Sequence, residues 1–514
     1  MSNGAWPLPL GLSVFLNYTC CLYNLDLNLS IEPLKQMADT LKDLVTLPSK
    51  KILAIGDMDI LFIYPSYGHS DNKARLLPTR ISVDVPNQES PNIGIGYLIA
   101  VAKRAGIKAK FVDMVFDDFS PEDIIDLVKL RKPAMVGFTA FTTHIKPAGL
   151  LAEMIKSAIP DTKVAIGGPH VAAIPRETLE EFEGFDFAIC GEAEDTLIPI
   201  MDVLQNNIAL SKIPGVVIRG QKSVSWVGTQ NLDALPFPAW EEFELSKYGG
   251  LYPHRTRREL PILGQRGCPY KCNFCMRASG DILRMRSVAS VISEIEHNIE
   301  AFGCESIAFL DETFALNKKW TRDFFAAMKR RGLNKKVNWS CSTRVSHTSE
   351  EFFQEMRQAG GYYTFFGLES ADEEVLALVD KRIKIKDMKN SIEWAKSAGI
   401  IPVGAFIIGL AKDTEKTVQK AIDLGHELDL WSITFPIAVP FPGTGLRALA
   451  ENNDFGMRLL SNDWDRYGKQ EGGVMESDEL SFQKRKEVQL NAYAAHPKKD
   501  LQHYINTRLT HVYQ

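Results

Sequence analysis

Three cysteines within eight residues constrain this chain more than any other feature. The stretch Gln265-Arg266-Gly267-Cys268-Pro269-Tyr270-Lys271-Cys272-Asn273-Phe274-Cys275-Met276 places thiols at Cys-x3-Cys-x2-Cys spacing, straight after the apolar run Leu260-Pro261-Ile262-Leu263-Gly264. That run is expected to be a short buried strand, with Gly267 and Pro269 turning the chain at its end. A loop this short can fold three thiolates onto one soft-metal centre. Thiolates hold iron–sulfur clusters, and a four-iron cluster normally takes four of them. No fourth cysteine sits nearby in sequence, which leaves one iron open for a small molecule. The competing structure is a zinc knuckle, completed by a histidine or a distant cysteine, although zinc prefers four closed ligands and pairs of Cys-x2-Cys.

At these residues the chain resembles the radical S-adenosylmethionine (SAM) superfamily, whose signature is this spacing with an aromatic residue, here Phe274, before the last cysteine. The resemblance implies a 4Fe-4S cluster on Cys268, Cys272 and Cys275. It also implies SAM bound to the open iron through its amino and carboxylate groups, and reductive cleavage of SAM to a 5'-deoxyadenosyl radical.

A chain of 514 residues is long enough for two to four domains and an ample core. Its hydrophobic content of 45% and charged content of 24% are those of a globular protein. The net charge of −5 offers no electrostatic case for nucleic acid. Eight cysteines, three of them in the loop, suit a reducing cytoplasm and metal use better than a disulfide framework. Cys20, Cys21, Cys190, Cys304 and Cys341 follow no ligand spacing and are expected to be buried thiols. No apolar run reaches the roughly 18 residues of a membrane span. The apolar stretch Trp6–Tyr23 lacks a basic leader and is interrupted by Pro7, Pro9 and Asn17, so no secretory signal is expected.

Apolar spacing over Glu32–Leu47 predicts one amphipathic helix. From Ile60–Tyr64 onward, strand-like runs at Ala109–Met114, Met135–Ala140, Val164–Ile166 and Phe187–Cys190 alternate with helical stretches near 94–104, after Ser120, and near 146–158, 175–183 and 194–205. Ser120-Pro121-Glu122-Asp123 reads as a helix start, with Ser120 as N-cap. This alternation predicts an open, doubly wound, Rossmann-like parallel sheet whose ligand sits beyond the C-terminal strand ends. Four segments project there: Pro65–His69, Thr139–His144, Gly167-Gly168-Pro169-His170 and Gly191-Glu192-Ala193-Glu194. Glycines allow close backbone approach, and the absence of G-x-G-x-x-G argues against a dinucleotide.

The order of these pieces resembles the cobalamin (B12)-binding domain that precedes the barrel in one large group of radical SAM proteins. The likeness rests on Ser90-Pro91-Asn92-Ile93-Gly94-Ile95-Gly96-Tyr97-Leu98, on Gly167-Gly168-Pro169-His170 and on Cys190-Gly191-Glu192-Ala193-Glu194. It implies cobalamin contacts at Thr139, Gly167, Gly168, Pro169, His170, Gly191 and Glu192. The D-x-H-x-x-G motif that supplies a cobalt-ligating histidine in methionine synthase is absent, so the cobalt is expected to take no histidine from this domain. His170 then lies near the nucleotide tail or, like His144, is satisfied by local hydrogen bonds.

Ile213–Arg219 and Lys222–Trp226 are expected to form a small hairpin or sheet edge. Asn231–Trp240 reads as an extended linker, similar to the Asp-x-Leu-Pro-x-Pro connection of the same group. Arg255, Arg257 and Arg258 are read as a solvated basic face, or as holding acidic groups of substrate or SAM. After the cysteine loop a second alternation runs to about residue 446, with strands at Ser306–Leu310, Val337–Ser342, Tyr363–Leu368, Val403–Ile408 and Trp431–Ile437. With Ile262–Gln265 this makes six β/α units, hence a partial (β/α)6 barrel with its chemistry at the C-terminal strand ends. By resemblance, Asp311 and Glu312 take the place of the motif that binds the SAM amino group. Ser342, Arg344, Glu369 and Ser370 occupy the next family positions, and Gly409 the adenine side. Asp311 and Glu312 lack the double glycine of the common motif. The aromatic residues near the C-terminus, among them Trp464, Tyr467, Tyr493 and Tyr504, are expected to cap the barrel and touch substrate.

The resulting division is residues 1–50 as an extension, 51–228 as the cobalamin-binding domain, 229–255 as linker, 256–450 as the radical SAM partial barrel and 451–514 as a small C-terminal region. The expected protein is a cytoplasmic, cobalamin-dependent radical SAM enzyme of anaerobic metabolism. It would abstract hydrogen from an unactivated carbon of a small-molecule substrate and transfer methyl through methylcobalamin. Its expected electron donor is a flavodoxin or ferredoxin. The alternatives are a radical cyclase of the anaerobic magnesium-protoporphyrin ester cyclase type and a cobalamin-binding sensor or carrier without radical catalysis. A methylthiotransferase would want further N-terminal cluster cysteines and a basic tail, and neither is visible.

Overall fold

The structure is a computed structural model, and it describes residues 50–66, 90–206, 209–249, 258–468, 473–497 and 499–509. The chain divides into two compact units, Met1–Ala54 and Ile55–Gln514. In the first, the described part is a short helix, Lys50–Ala54. The helix expected over Glu32–Leu47, the loop past Ser66, and Arg255 and Arg257 lie outside the described residues.

In the second unit, apolar runs flanked by amphipathic helices form two parallel sheets. The first takes β1 (Ile60–Tyr64), β2 (Ala109–Asp113), β3 (Met135–Thr139), β4 (Lys163–Gly167), β5 (Phe187–Ile189) and β6 (Val216–Ile218) in the order 2-1-3-4-5-6. Strands 1 to 5 are parallel in the flavodoxin-like 2-1-3-4-5 order, and β6 closes the edge antiparallel to β5. The chain reverses direction on either side of β1, so the ends of β1 and β3 diverge and open a crevice. Four of the five residues of β1 are buried, as a strand covered by helices on both faces requires. The helix Pro121–Arg131 starts on a complete capping box, Ser120 with Asp123, and has Pro121 in its first turn.

Two expectations between the sheets need correction. Lys222–Trp226 forms no strand; only the edge at Val216–Ile218 pairs, and Val227 bridges to Gly191. Asn231–Trp240 is not a loose linker. Its 3-10 turn buries Leu232, and Trp240 is fully buried against Gly96, where an added Cβ would come within 3.1 Å of the indole. Apolar residues at this join gain more from burial than an extended chain can offer.

The second sheet contains β7 (Glu259–Ile262), β10 (Ser306–Phe309), β11 (Asn338–Thr343), β12 (Gly361–Glu369), β13 (Ile401–Phe406) and β14 (Ser432–Thr434), paired in chain order and all parallel. Five helices, Val288–Phe302, Lys318–Arg330, Glu350–Gln358, Ile385–Ser397 and Glu415–Leu428, alternate with the strands. Consecutive neighbours joined by a helix are the (β/α)6 arrangement. Packed aromatic side chains fill the core beneath it, with Phe309, Phe314, Phe324 and Trp339 in mutual ring contact. Between β7 and β10, the two-residue strands β8 (Gln265–Arg266) and β9 (Arg284–Met285) pair antiparallel and form the stem of the cysteine loop. Among the described residues no helix is long and apolar enough to cross a membrane.

Candidate active site

The cysteine loop leaves its stem through Gly267, whose φ of +87° suits glycine. A Cβ there would lie 2.2 Å from the Ile282 carbonyl oxygen. Cys268 and Cys272 are buried and Cys275 is exposed. The loop is fixed from several sides. The Asn273 amide donates to the Val379 carbonyl at 3.1 Å, and the Phe274 ring packs on the apolar cluster containing Val375, Val379 and Leu410. Glu312 accepts from the amides of Gly267 and Ser279, and Asp311 accepts from the amide of Gly264. Burial pushes the Asp311 carboxyl up to about 7. The Asp311–Glu312 motif therefore braces the backbone of the cysteine loop.

The remaining strand-end residues surround the same loop. Arg344 donates to Cys272 Sγ at 3.6 Å and to the Lys381 carbonyl, and its guanidinium stacks 3.7 Å from the Tyr270 ring centroid. Tyr270 hydrogen-bonds His347 across the loop. Glu369, at φ +64°, forms a buried 2.5 Å ion pair with Lys381. The Ser370 hydroxyl accepts from the Asp372 amide, and the Ser342 carbonyl accepts from the Phe314 amide. Gly409, at φ +87°, donates its amide to Asp413, and the guanidinium of Arg485 occupies the space a side chain would need. Burial pushes the Asp413 carboxyl up to about 6.

The donor set fits a four-iron cluster better than a single ion. A structural zinc centre needs four ligands at about 2.0–2.3 Å, whereas a cubane spreads its thiolates over separate irons. Asn273 Oδ1, Arg277 Nε and Arg344 Nε are buried beside the loop without a hydrogen-bond partner. Buried polar atoms in that state mark a place where a polar group belongs. Cys190, Cys304 and Cys341 are buried thiols, as expected, and burial pushes Cys190 up to about 11 and Cys304 up to about 12.

A cavity of about 300 Å³ opens at the C-terminal edge of the first sheet. Thr139, Gly167, Gly168, Pro169, Gly191 and Glu192 line it. Two of its glycines, Gly168 and Gly191, are steric requirements. Gly168 has φ +99°, and a Cβ would stand 2.8 Å from the backbone of Ala140; Gly191 has φ +112°, and a Cβ would stand 2.0 Å from the Val227 oxygen. The helix Ile93–Arg104, N-capped by Asn92, contributes Ile93, Gly94, Ile95 and Leu98 to the wall. A surface of glycine backbone and apolar side chains fits a large cofactor held mainly by shape.

Two residues expected to touch cobalamin are engaged elsewhere. His170 is fully buried and is not part of the cavity lining; its Nδ1 pairs with Thr142 Oγ1 at 3.2 Å and its ring meets Trp464 edge-on at 5.0 Å. Burial pushes its imidazole down to about 4, so it is neutral at pH 7. Only Nδ1 is satisfied in this way; the buried Nε2 has no hydrogen-bond partner. Glu192 reaches the cavity, but its carboxylate is clasped by Arg284 at 2.6 and 2.7 Å. Trp464 donates to Glu181, and Tyr493 and Tyr504 bond backbone beside β14, so these aromatic residues brace the packing of the C-terminal region. Arg258 bonds the Phe302 carbonyl at a helix end. The pairs Arg266–Glu194 and Glu369–Lys381 were not visible in the sequence, because their partners have no local spacing to betray them.

The radical SAM superfamily profile matches residues 262–425, and the B12 binding domain profile matches residues 79–200. An uncharacterised methyltransferase of Pyrococcus horikoshii is 30% identical over 402 residues, covering 76% of this chain and 85% of the relative. The anaerobic magnesium-protoporphyrin IX monomethyl ester cyclase of Cereibacter sphaeroides is 27% identical over 395 residues, covering 74% of this chain and 62% of the relative. Among solved structures, the radical SAM methyltransferase TsrM of Kitasatospora setae, with cobalamin and its 4Fe-4S cluster bound, aligns at a TM-score of 0.66 and 18% identity, over 88% of this chain and 92% of that one. At that identity the likeness is one of fold. With a cysteine loop on a six-stranded parallel sheet and a glycine-lined cavity on a doubly wound one, the chain belongs to the cobalamin-binding radical SAM enzymes.

Proposed function

We propose that this protein is a cobalamin-dependent radical SAM C-methyltransferase acting on a small molecule. One observation carries the reading: Leu263, Arg266, Ala278 and Ser279, which flank or belong to the cysteine loop, also line the cavity at the end of the first sheet. The two cofactor sites thus share a wall, as a transfer between them requires. In this reading Cys268, Cys272 and Cys275 hold the 4Fe-4S cluster, and Thr139, Gly167, Gly168, Pro169 and Gly191 cradle cobalamin. When bound, the cluster and SAM supply a hydrogen-abstracting 5'-deoxyadenosyl radical and the cobalamin supplies the methyl group.

The chain's own residues position these groups and keep water out. Asp311 and Glu312 hold the cysteine loop to the strand ends through the amides of Gly264, Gly267 and Ser279. Phe274 seals the loop against its apolar floor. In this reading Arg344, Glu369, Ser342, Ser370 and Gly409, at or just past the strand ends, would face SAM. Of these, Arg344 and Glu369 carry the charges that match a carboxylate and an ammonium. The Lys381–Glu369 pair and the Cys272–Arg344 contact hold those side chains in place.

The electron donor in this reading is a flavodoxin or ferredoxin, and the compartment is an anaerobic cytoplasm. The experiment is product analysis after anaerobic turnover with candidate substrates. A gain of one methyl group, with 5'-deoxyadenosine released, is the expected result. The relatives named cyclase make one other outcome specific: an oxidised or ring-closed product without added carbon assigns the chain to cyclisation. Cobalamin binding with no 5'-deoxyadenosine under any condition assigns it to sensing or carrying.

A further inference from the structure

We propose that Arg266 and Glu194 form a positioning pair that couples occupancy of the cobalamin cavity to formation of the cluster loop. The inference rests on the reading just given. The stem of the cysteine loop is only two residues per strand, and its register sets Arg266 directly opposite Arg284. Like charges facing each other across an antiparallel pair destabilise it. Both guanidiniums are also buried, at 6% and 7% side-chain exposure, so water does little to relieve the repulsion.

The relief comes from the other sheet. Arg266 Nη1 lies 2.7 Å from Glu194 Oε1 and 3.2 Å from Glu192 Oε2. Arg284 takes Glu192 in a two-pronged contact at 2.6 and 2.7 Å. Both carboxylates sit in the segment that follows β5, where Gly191 and Val227 bridge. The stem is therefore favourable only while it is docked on that segment. Arg284 also donates to the carbonyls of Ser279 and Thr229, and the Arg266 guanidinium stacks 4.9 Å from the Tyr97 ring centroid. Removing one partner from such a network strands a buried charge.

The same residues form the cavity wall: Glu192, Glu194, Arg266 and Ser279 all line it. A ligand seated there presses on the contacts that close the stem, and Arg266 is two residues from Cys268. Cobalamin binding and cluster formation consequently share a free energy, and the effect of each on the other is reciprocal.

The test uses the full-length protein prepared anaerobically in cluster-free and cluster-reconstituted forms. Hydroxocobalamin is titrated into each and its Kd read by absorbance. The wild type is expected to bind at least about fivefold more tightly with the cluster present. Glu194→Gln, which keeps the shape and removes the charge, is expected to bring that ratio to about one. A merely structural contact would weaken both forms alike and leave the ratio unchanged. Glu194→Asp keeps the charge at shorter reach, is expected to give an intermediate ratio, and decides the matter if the Gln variant does not fold. A ratio of one in the wild type, or an unchanged ratio in the variants, overturns the coupling. Failure of both forms to bind hydroxocobalamin at all instead removes the functional reading beneath it, and the pair's role with it.

Discussion

The two sheets offer their ligands opposite materials. At the ends of β3, β4 and β5 the first presents glycine backbone, a threonine and apolar side chains, and the ionisable groups among them are already paired with one another. The ends of β11 and β12 present charge: Arg344 against a thiol, and Glu369 against Lys381. The first site is defined by the side chains it must lack, the second by the charge and sulfur it must have. The first suits a large cofactor recognised by shape, the second a compact zwitterion and a metal cluster.

Substitutions can break that contrast in order of severity. Cys272→Ala removes a ligand no neighbour can replace. Cluster absorption and SAM cleavage should both vanish, with cobalamin still bound, though more weakly; survival of either signal contradicts the assignment. Gly191→Ala forces a Cβ to 2.0 Å from the Val227 oxygen at φ +112°. It should destabilise the fold by on the order of 3 kcal/mol in a denaturant melt and release cobalamin. Gly167→Ala sharpens the point. There a Cβ meets nothing closer than 4.0 Å, so the fold should stand while the cavity shrinks, and cobalamin affinity should drop about tenfold.

A fourth test concerns charge at the second sheet. Asp311 titrates near pH 7 in the folded chain, against an ordinary value of 3.8. The folded state therefore holds this proton more tightly than the unfolded state between those values. Its contribution is fully favourable below about pH 4, declines as pH rises to 7 and is constant above. Asp311→Asn should remove a slope of at most about 1.4 kcal/mol per pH unit from stability over that window. An unaltered pH profile would show that the carboxyl titrates normally. The smallest effect is expected from Ser120→Ala. It removes a helix cap on the first sheet and should cost about 1 kcal/mol in thermal or denaturant stability without moving either cofactor's signal.

Features set by local chemistry are legible in the order of residues alone. The Cys-x3-Cys-x2-Cys loop, the Ser120–Asp123 capping box and the two β/α series announce themselves through spacing, since each depends on near neighbours in the chain; the glycines at 168 and 191 stand out as residue types, although what requires them is Ala140 and Val227. Features set by partners distant in sequence are not legible in this way. Arg266 meets Glu194 across 72 residues, and Arg284 meets Glu192 across 92. Nothing in the spacing of residues tells a carboxylate that faces a ligand from one that answers an arginine. The same limit hides the surroundings of His170, which meets Thr142 and, nearly three hundred residues away, Trp464. Asn231–Trp240 carries the prolines of a linker, yet the burial of Leu232 and Trp240 outweighs that signal.

The central claim is that one chain holds an iron–sulfur cluster and a cobalamin against a common wall. Iron, sulfide, cobalt and zinc measured on protein purified without oxygen, with cobalamin supplied, test it most directly. About four irons, four sulfides and one cobalt per chain are expected. Iron without cobalt would leave the second sheet's role intact and remove the methyl-transfer account; stoichiometric zinc without iron would contradict the whole assignment.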